Sequence, residues 1–340
     1  MKRIFLIISI ALTSICYMSC QNLKDSKDSE PEYITVRLGT TGDVQTKSTG
    51  TDDLYGINVY YDPSRDGNSN THYAYGIFDN KDDMSITLLS GYTYKFECTL
   101  VKDGKTTLYC GQYGDNTFSG YAKPFQTNVS ASSQLTNAFV YGTDYLSGIG
   151  SGAATIKSVS SGYEEQEMPS VIRYYGEVSG YIPATGGIVR IPLKKTVFGL
   201  RIIIDKVPEG ELSANCVVNA YDHTIISGAA TSKLYDSGAR IYSFPNVYSC
   251  WAYETPLKAT VNWNFKSSTF SQWNQSGSEE VSLKRNTLTT VTVSCSPDNS
   301  TGDIVINEEA FGEDNNIYLR LNSDGEIVIG VKPEEEEEDD

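Results

Sequence analysis

From Tyr33 to Val331 the apolar residues come in short runs, each closed by Gly, Asn, Asp or Ser. No stretch repeats its apolar positions over any length at the period of about 3.6 that an amphipathic helix needs. Leu54–Tyr61 (LYGINVYY), Tyr92–Val101, Thr196–Ile204 and Thr287–Ser294 are rich in β-branched and aromatic residues. Such residues fit a pleated, half-buried surface. Many short strands must each bury one face, and sheets packed face to face meet that demand with short connections. The expected fold is all-β, with two tandem antiparallel β-sandwich domains.

The chain divides by composition. Residues 1–19 read as an export signal, 20–32 as a polar tether, 33–185 and 186–331 as the two β domains, and 332–340 as an acidic, solvated tail. The boundary is placed near Gly186. Further strands are expected at Tyr33–Leu38, Met84–Leu89, Thr106–Tyr113, Phe125–Val129, Thr136–Tyr141, Val171–Val178 and Gly186–Pro192. In the second half they are expected at Val217–Ala220, Ala239–Phe244, Leu257–Phe265 and Glu279–Leu283. Gly148–Met168 reads as irregular. Gly302–Ile306, Ile317–Leu321 and Glu326–Val331 either complete the second domain or form a detachable segment offered to another chain.

At the N-terminus Lys2 and Arg3 precede the apolar run Ile4–Ile15. A helix needs about 20 apolar residues to span a bilayer, so this run is a signal peptide and not a comfortable span. It ends in Tyr17-Met18-Ser19-Cys20, a small residue directly before a cysteine. That resembles a bacterial lipoprotein signal, in which Cys20 becomes the lipidated first residue. Tyr17 departs from the Leu-like residue usual at its position, and Cys16 is a poor rival because bulky Ile15 precedes it. Acyl chains on Cys20 would supply membrane affinity that the polypeptide lacks.

The formal charge of −16 leaves no basic stripe to replace phosphate counterions, which argues against nucleic acid. Beyond Cys16 and Cys20 the cysteines are Cys98, Cys110, Cys216, Cys250 and Cys295, an odd number with no zinc-module spacing. Cys98 and Cys110 flank Lys102-Asp103-Gly104-Lys105, which reads as a hairpin turn. A two-residue loop would put the two thiols on opposite faces and a bulged three-residue loop on the same face, so buried free thiols are expected over a disulfide.

No catalytic constellation emerges. His72 and His223 sit in polar contexts of separate predicted domains and read as surface residues. Asp62, Ser64, Asp66 and Gly67 begin like a calcium loop, but Tyr73 stands where a bidentate Glu is required, so no metal is expected. Glu164-Glu165 and Glu308-Glu309 are adjacent in sequence, which says nothing of the cleft that glycoside hydrolysis needs. Trp251, Trp263 and Trp273 could stack on sugars, or pack within the sheets. A non-enzyme without cofactor is the expectation.

Several segments resemble the fimbrillin-type surface lipoproteins of Bacteroides-like bacteria, which include shaft, minor and anchor subunits of fimbriae. They are Thr46–Asp62 (TKSTGTDDLYGINVYYD), Leu88–Leu100 (LLSGYTYKFECTL), Asn137–Leu146 (NAFVYGTDYL), Ile191–Gly210 (IPLKKTVFGLRIIIDKVPEG) and Val281–Val293 (VSLKRNTLTTVTV). The resemblance implies transthyretin-like sandwiches, an outer-membrane location through a lipid on Cys20, and other fimbrial subunits as partners, with a host or glycan receptor beyond them. It also implies that shaft subunits lose an N-terminal strand by a cut after a basic residue and then take a strand from a neighbour. An unpaired sheet edge over an apolar groove gains hydrogen bonds and burial from such a strand. On this chain Tyr33–Leu38 would be the removable strand, Lys47-Ser48 the cut, and Gly302–Val331 the donor. An Arg is more usual than Lys47 at such a cut, and Arg37 lies inside the strand that would be removed. Anchor subunits keep strand and lipid. The competing reading is a surface glycan-binding lipoprotein of a polysaccharide-uptake system.

Overall fold

The computed structural model describes residues 32–42, 52–65, 70–108, 112–113, 116–117, 120–130, 132–151, 154–158, 162–166, 171–205, 209–218, 221–230, 234–268, 274–296, 299–310, 317–321 and 327–331. The fold is all-β. Among the described residues the helical pieces are one 3₁₀ turn (Lys81–Asp83) and two short helices, α1 (Gly104–Thr107) and α2 (Val247–Tyr253).

The first half supplies β1 (Tyr33–Gly42), β2 (Leu54–Tyr61), β3 (Thr71–Phe78), β4 (Ser85–Leu89), β5 (Tyr94–Val101), the short pairs β6 (Gln112–Tyr113) and β7 (Asn116–Thr117), and β8 (Val140–Tyr141). It continues with the hairpin β9 (Ala154–Ser158) and β10 (Gly162–Gln166), then β11 (Arg173–Tyr181) and β12 (Ile188–Lys195). Eight of these form one sheet in the order β4-β1-β12-β11-β5-β2-β3-β8. Its two ends cover a common core, because Ile34, Val36 and Leu38 of β1 and Met84, Ile86 and Leu88 in and beside β4 join Ile57, Val59, Phe96, Cys98 and Leu100 in one cluster. The opposite face of β2, β3 and β5 is covered by a second cluster built on Leu54, Ile77, Val101, Leu108, Phe125 and Leu146.

The second half supplies β13 (Val197–Asp205), β14 (Gly210–Val218), β15 (Tyr221–Ala230), β16 (Leu234–Asp236), β17 (Arg240–Ser243), β18 (Leu257–Ser267), β19 (Gln275–Leu283), β20 (Thr287–Ser296) and β21 (Asn299–Ala310). One sheet runs β16-β13-β20-β21 with β17 also on β13, and the other runs β15-β14-β18-β19. Alternate residues of both sheets, among them Phe198, Leu200, Ile202, Cys216, Val261, Trp263, Phe265 and Val291, make a single core. The last two strands, β22 (Ile317–Leu321) and β23 (Ile327–Val331), pair with each other.

Several expectations are corrected. The sheets are mixed, because β1 runs parallel to β12 and β13 parallel to β20. Strand β12 is hydrogen-bonded to β1 and β11, so Ile188–Lys195 lies in the first sheet system and the second begins after Thr196. No hairpin follows β5. Its antiparallel neighbours are β2 and β11, and the chain turns instead into α1. Asp103 takes a left-handed φ of 53°, Asp53 accepts from the Asp103 amide at 3.1 Å and from Lys102 Nζ at 2.6 Å, and the Thr106 and Thr107 hydroxyls donate to Asp103 O. Those local bonds outcompete a ladder. Cys98 and Cys250 are buried free thiols, Cys216 is buried, and Cys110 lies outside the described residues.

Phe125–Val129 is no strand and touches the sheet pattern only through a bridge from Thr127 to Leu146. Of Thr136–Tyr141 only β8 pairs, and of Val217–Ala220 the first two residues end β14 while 219–220 lie outside the described residues. Strand β3 was not expected, because Ala74 and Gly76 weaken its strand signal; its residues serve two clusters, Ala74 and Phe78 one and Ile77 the other. The stretch read as irregular contains β9 and β10.

Candidate functional site

The structure places Tyr33–Leu38 within β1, and the strand runs on to Gly42. Alternation sends Ile34, Val36 and Leu38 into the core and leaves Tyr33, Thr35 and Arg37 outside, with Tyr33 65% exposed. Burying three aliphatic side chains contributes roughly 5–8 kcal/mol of gross transfer free energy, before the entropy of ordering the strand is subtracted.

The backbone of β1 is held in two halves. Tyr33–Arg37 pairs antiparallel with β4, from Tyr33 opposite Leu89 to Arg37 opposite Ser85. Arg37–Gly42 pairs parallel with β12, from Arg37 opposite Ile188 to Gly42 opposite Leu193. Only around Arg37 and Leu38 do both neighbours bond at once, through Arg37 N to Gly187 O at 3.2 Å and Leu38 N to Met84 O at 2.9 Å. The strand therefore fills a slot between two walls, with each half hydrogen-bonded mainly on one side.

The far wall, β4, has its own support. In an antiparallel pair alternate residues point their N–H and C=O away from the partner. Because Leu38 bonds Met84, it is Ser85, Thr87 and Leu89 that face outward. Among the described residues no strand lies there. Instead the Tyr141 hydroxyl accepts from Thr87 N at 3.0 Å, Tyr73 donates to Thr87 O at 3.0 Å, and Tyr94 accepts from Leu89 N at 2.8 Å. The three rings pack edge to face, Tyr73 lying 5.4 Å from Tyr94 and 5.4 Å from Tyr141, and Tyr61 adds a contact to Tyr73 at 5.5 Å. Burial pushes the Tyr73 phenol up to about 12, and pushes Tyr94 up as well, so both hydroxyls keep their protons.

Lys47 and Ser48 lie outside the described residues, as does Cys20. Within the expected donor segment, β21 is already paired along β20, from Thr287 opposite Ala310 to Ser296 opposite Asn299. Strands β22 and β23 have no partner but each other among the described residues.

The other sequence candidates fall elsewhere. His72 is not in a loop. It lies on β3 with its ring 5.4 Å from Tyr60 and 5.8 Å from Tyr145, and Nδ1 bonds Gly142 O at 2.9 Å. Desolvation holds its pKa below the ordinary value. His223 is on β15, opposite Cys216 in register. Asp62 accepts from the amide and hydroxyl of Ser64 at 3.0 and 2.8 Å, which is a local turn. Among the described residues no group of three or more His, Cys, Asp or Glu comes together to hold a metal. None of their helices is long and apolar enough to cross a membrane.

Trp263 is buried in the second core, and Trp273 lies outside the described residues. Trp251 packs edge-on against Tyr175 at 5.8 Å and donates from Nε1 to Pro192 O at 3.3 Å. Two carboxylates that sequence reasoning passed over, Glu97 and Glu177, stand opposite each other on β5 and β11. Lys95 bridges them at 2.9 and 3.1 Å, and the Tyr60 and Tyr175 hydroxyls donate to them. Only the strand register brings them together.

No family model matches the chain, and no curated protein matches it. Among solved structures it is similar to a fimbrial assembly protein from Parabacteroides distasonis, at 10% identity and a TM-score of 0.32 over 88% of this chain and 99% of that one. It is similar to the fimbrial anchor protein Mfa2 from Porphyromonas gingivalis, at 10% identity and a TM-score of 0.34 over 82% of this chain and 98% of that one. A candidate cell adhesion protein from Bacteroides eggerthii gives 9% and 0.36 over 83% and 96%. Identities and scores this low do not carry a function from those proteins to this one.

The chemistry of the slot itself is that of strand pairing. An apolar floor and two sets of backbone donors and acceptors would accept any strand with aliphatic residues at alternate positions.

Proposed function

We propose that this chain is a non-enzymatic fimbrial subunit or fimbria-anchoring surface lipoprotein that joins its neighbours by strand addition at the β1 slot. The observation that carries the reading is the way β1 is held. It is the first strand among the described residues, its two halves lean on different neighbours, and its core contribution comes from three alternating aliphatic residues. A strand of another copy with the same alternation replaces those contacts one for one.

In this reading the two sheet systems, meeting at Thr196, are two sandwich domains. Cys20 carries the lipid that holds the chain at the outer membrane, and a cut at Lys47-Ser48 frees β1 in a shaft subunit. The donated segment is β22–β23 in preference to β21, since β21 already has a place on β20. An isolated two-stranded hairpin is marginal in water, so β22–β23 gains most from a host sheet. The glycan-binding reading has less support, because Trp263 sits in a core and Trp251 is packed edge-on.

Limited trypsin digestion of the Gln21–Asp340 chain tests the shaft form. Loss of Tyr33–Gly42 followed by polymers is the expected result, and a product that has lost β1 yet stays monomeric overturns it. Cys20→Ala tests the anchor, since it should release the protein from membranes; retention overturns lipid anchoring at that residue.

A further inference from the structure

Strand β4 is the last strand of its sheet, and Ser85–Leu89 (SITLL) is short and apolar. An edge of this kind is a template for pairing with a second chain, and proteins blunt it with charge, proline, a bulge or a covering segment. Here there is no proline and no charge in the strand. The outward Thr87 and Leu89 groups are instead met by phenolic hydroxyls from three other elements, β3, β5 and β8. Tyr94 also returns a bond to Leu89 O at 3.2 Å, and Tyr141 one to Thr87 O at 3.3 Å. Each outward amide and carbonyl of these two residues thus has a side-chain partner. Edge-to-face packing within the cluster limits the rotamers, so the hydroxyls are presented already ordered.

We propose that Tyr73, Tyr94 and Tyr141 stand in for a ninth strand: they close the outer edge of β4 to pairing with a second copy of the chain, and they hold β4 in place by bonds that do not involve β1. The consequence for assembly rests on the strand-addition reading. A wall fixed from outside keeps the β1 slot open when β1 is exchanged, and directs an incoming strand to that slot. The closed edge itself does not depend on any cut.

The test is amide hydrogen exchange, read by NMR residue by residue on the Gln21–Asp340 chain. Thr87 and Leu89 should be protected although they lie at an edge. Tyr141→Phe should speed exchange at Thr87, and Tyr94→Phe at Leu89, each by about tenfold or more, since the ring stays and only the hydroxyl bond is lost. Ile86 and Leu88, which face β1, should keep their parent rates in both variants. Unchanged rates at Thr87 and Leu89 overturn the cap, and equal acceleration at Ile86 and Leu88 shows general loosening and overturns it too.

The triple variant Tyr73→Phe, Tyr94→Phe, Tyr141→Phe should then self-associate at a concentration where the parent does not. Adding Thr87→Pro, which removes an outward N–H alone, should return it to monomer. A triple variant that stays monomeric overturns the closing of the edge. A chain that passes these tests but fails to polymerise after loss of β1 loses the strand-addition reading and keeps this one.

Discussion

The two strands that open the two sheet systems, β1 and β13, invite comparison. Each runs parallel to a later strand, β1 to β12 and β13 to β20. The resemblance stops there. β13 is flanked on one side by β17 and β16 and on the other by β20 from Gly199 to Asp205, so most of its length is bonded twice. Val197, Phe198, Leu200, Ile202 and Ile204 are all buried. β1 is bonded mainly on one side at a time and has Tyr33, Thr35 and Arg37 outside. Strands of the same type in the same kind of pairing differ in how much must break for them to leave. β13 is a locked central strand, and β1 is a strand in a slot.

The largest effect expected from breaking this contrast is in β13. Phe198 is fully buried, 5.2 Å from Phe244 and 5.7 Å from Tyr242, and Phe198→Ala should cost about 3–5 kcal/mol in urea unfolding. The matching truncation in β1, Leu38→Ala, should cost less, about 2–3 kcal/mol. Equal costs would remove the distinction.

The join between the two systems comes next. Arg173 is wholly buried and donates to Thr99 Oγ1 and to the carbonyls of Gly148, Ile149 and Ser151, with no carboxylate among these partners. Burial drives its pKa down to about 9. The segment it holds also meets α2, through Tyr248 N to Gly150 O at 3.4 Å. Arg173→Met leaves buried carbonyls without donors, and should destabilise the fold by about 3 kcal/mol while raising protease sensitivity at residues 148–151. A neutral result would mean that the segment repacks freely.

The smallest effect is a pH dependence in the first system alone. His72 has a folded pKa below its unfolded value of about 6.5, because its ring is desolvated and Nε2 has no hydrogen-bond partner. The Nδ1 bond to Gly142 O, and then Asp144 and Glu97, oppose the shift without reversing it. Between the two pKa values the unfolded chain binds more protons, so the stabilising contribution is complete above about 6.5 and is lost as pH falls through the folded value. His72→Gln should flatten the stability curve between pH 7 and 5 relative to the parent. An identical slope in both proteins would place the titration elsewhere.

Much of this was legible in the residues. β2 was read with its observed ends, and β4, β5, β13, β18 and β20 to within two residues, because β-branched and aromatic runs between turn signals mark a strand locally, while β1 and β19 were each read four residues short. β3 was missed because Ala74 and Gly76 weaken the strand signal of THYAYGIF, and the false hairpin after β5 arose because Asp103-Gly104 reads alike as a turn and as the entry to α1. The cut expected at Lys47 and the lipid expected at Cys20 fall on residues outside the described ones.

What the sequence determined by itself was the class of fold and the alternating face that β1 presents, since both follow from local periodicity. What the tertiary structure decided was pairing. It set β12 against β1 across the expected boundary, brought Glu97 opposite Glu177, and turned Tyr73, Tyr94 and Tyr141 toward one strand edge. Partners far apart in the chain leave no mark on local sequence, because their contact is set by register and by the packing of whole sheets.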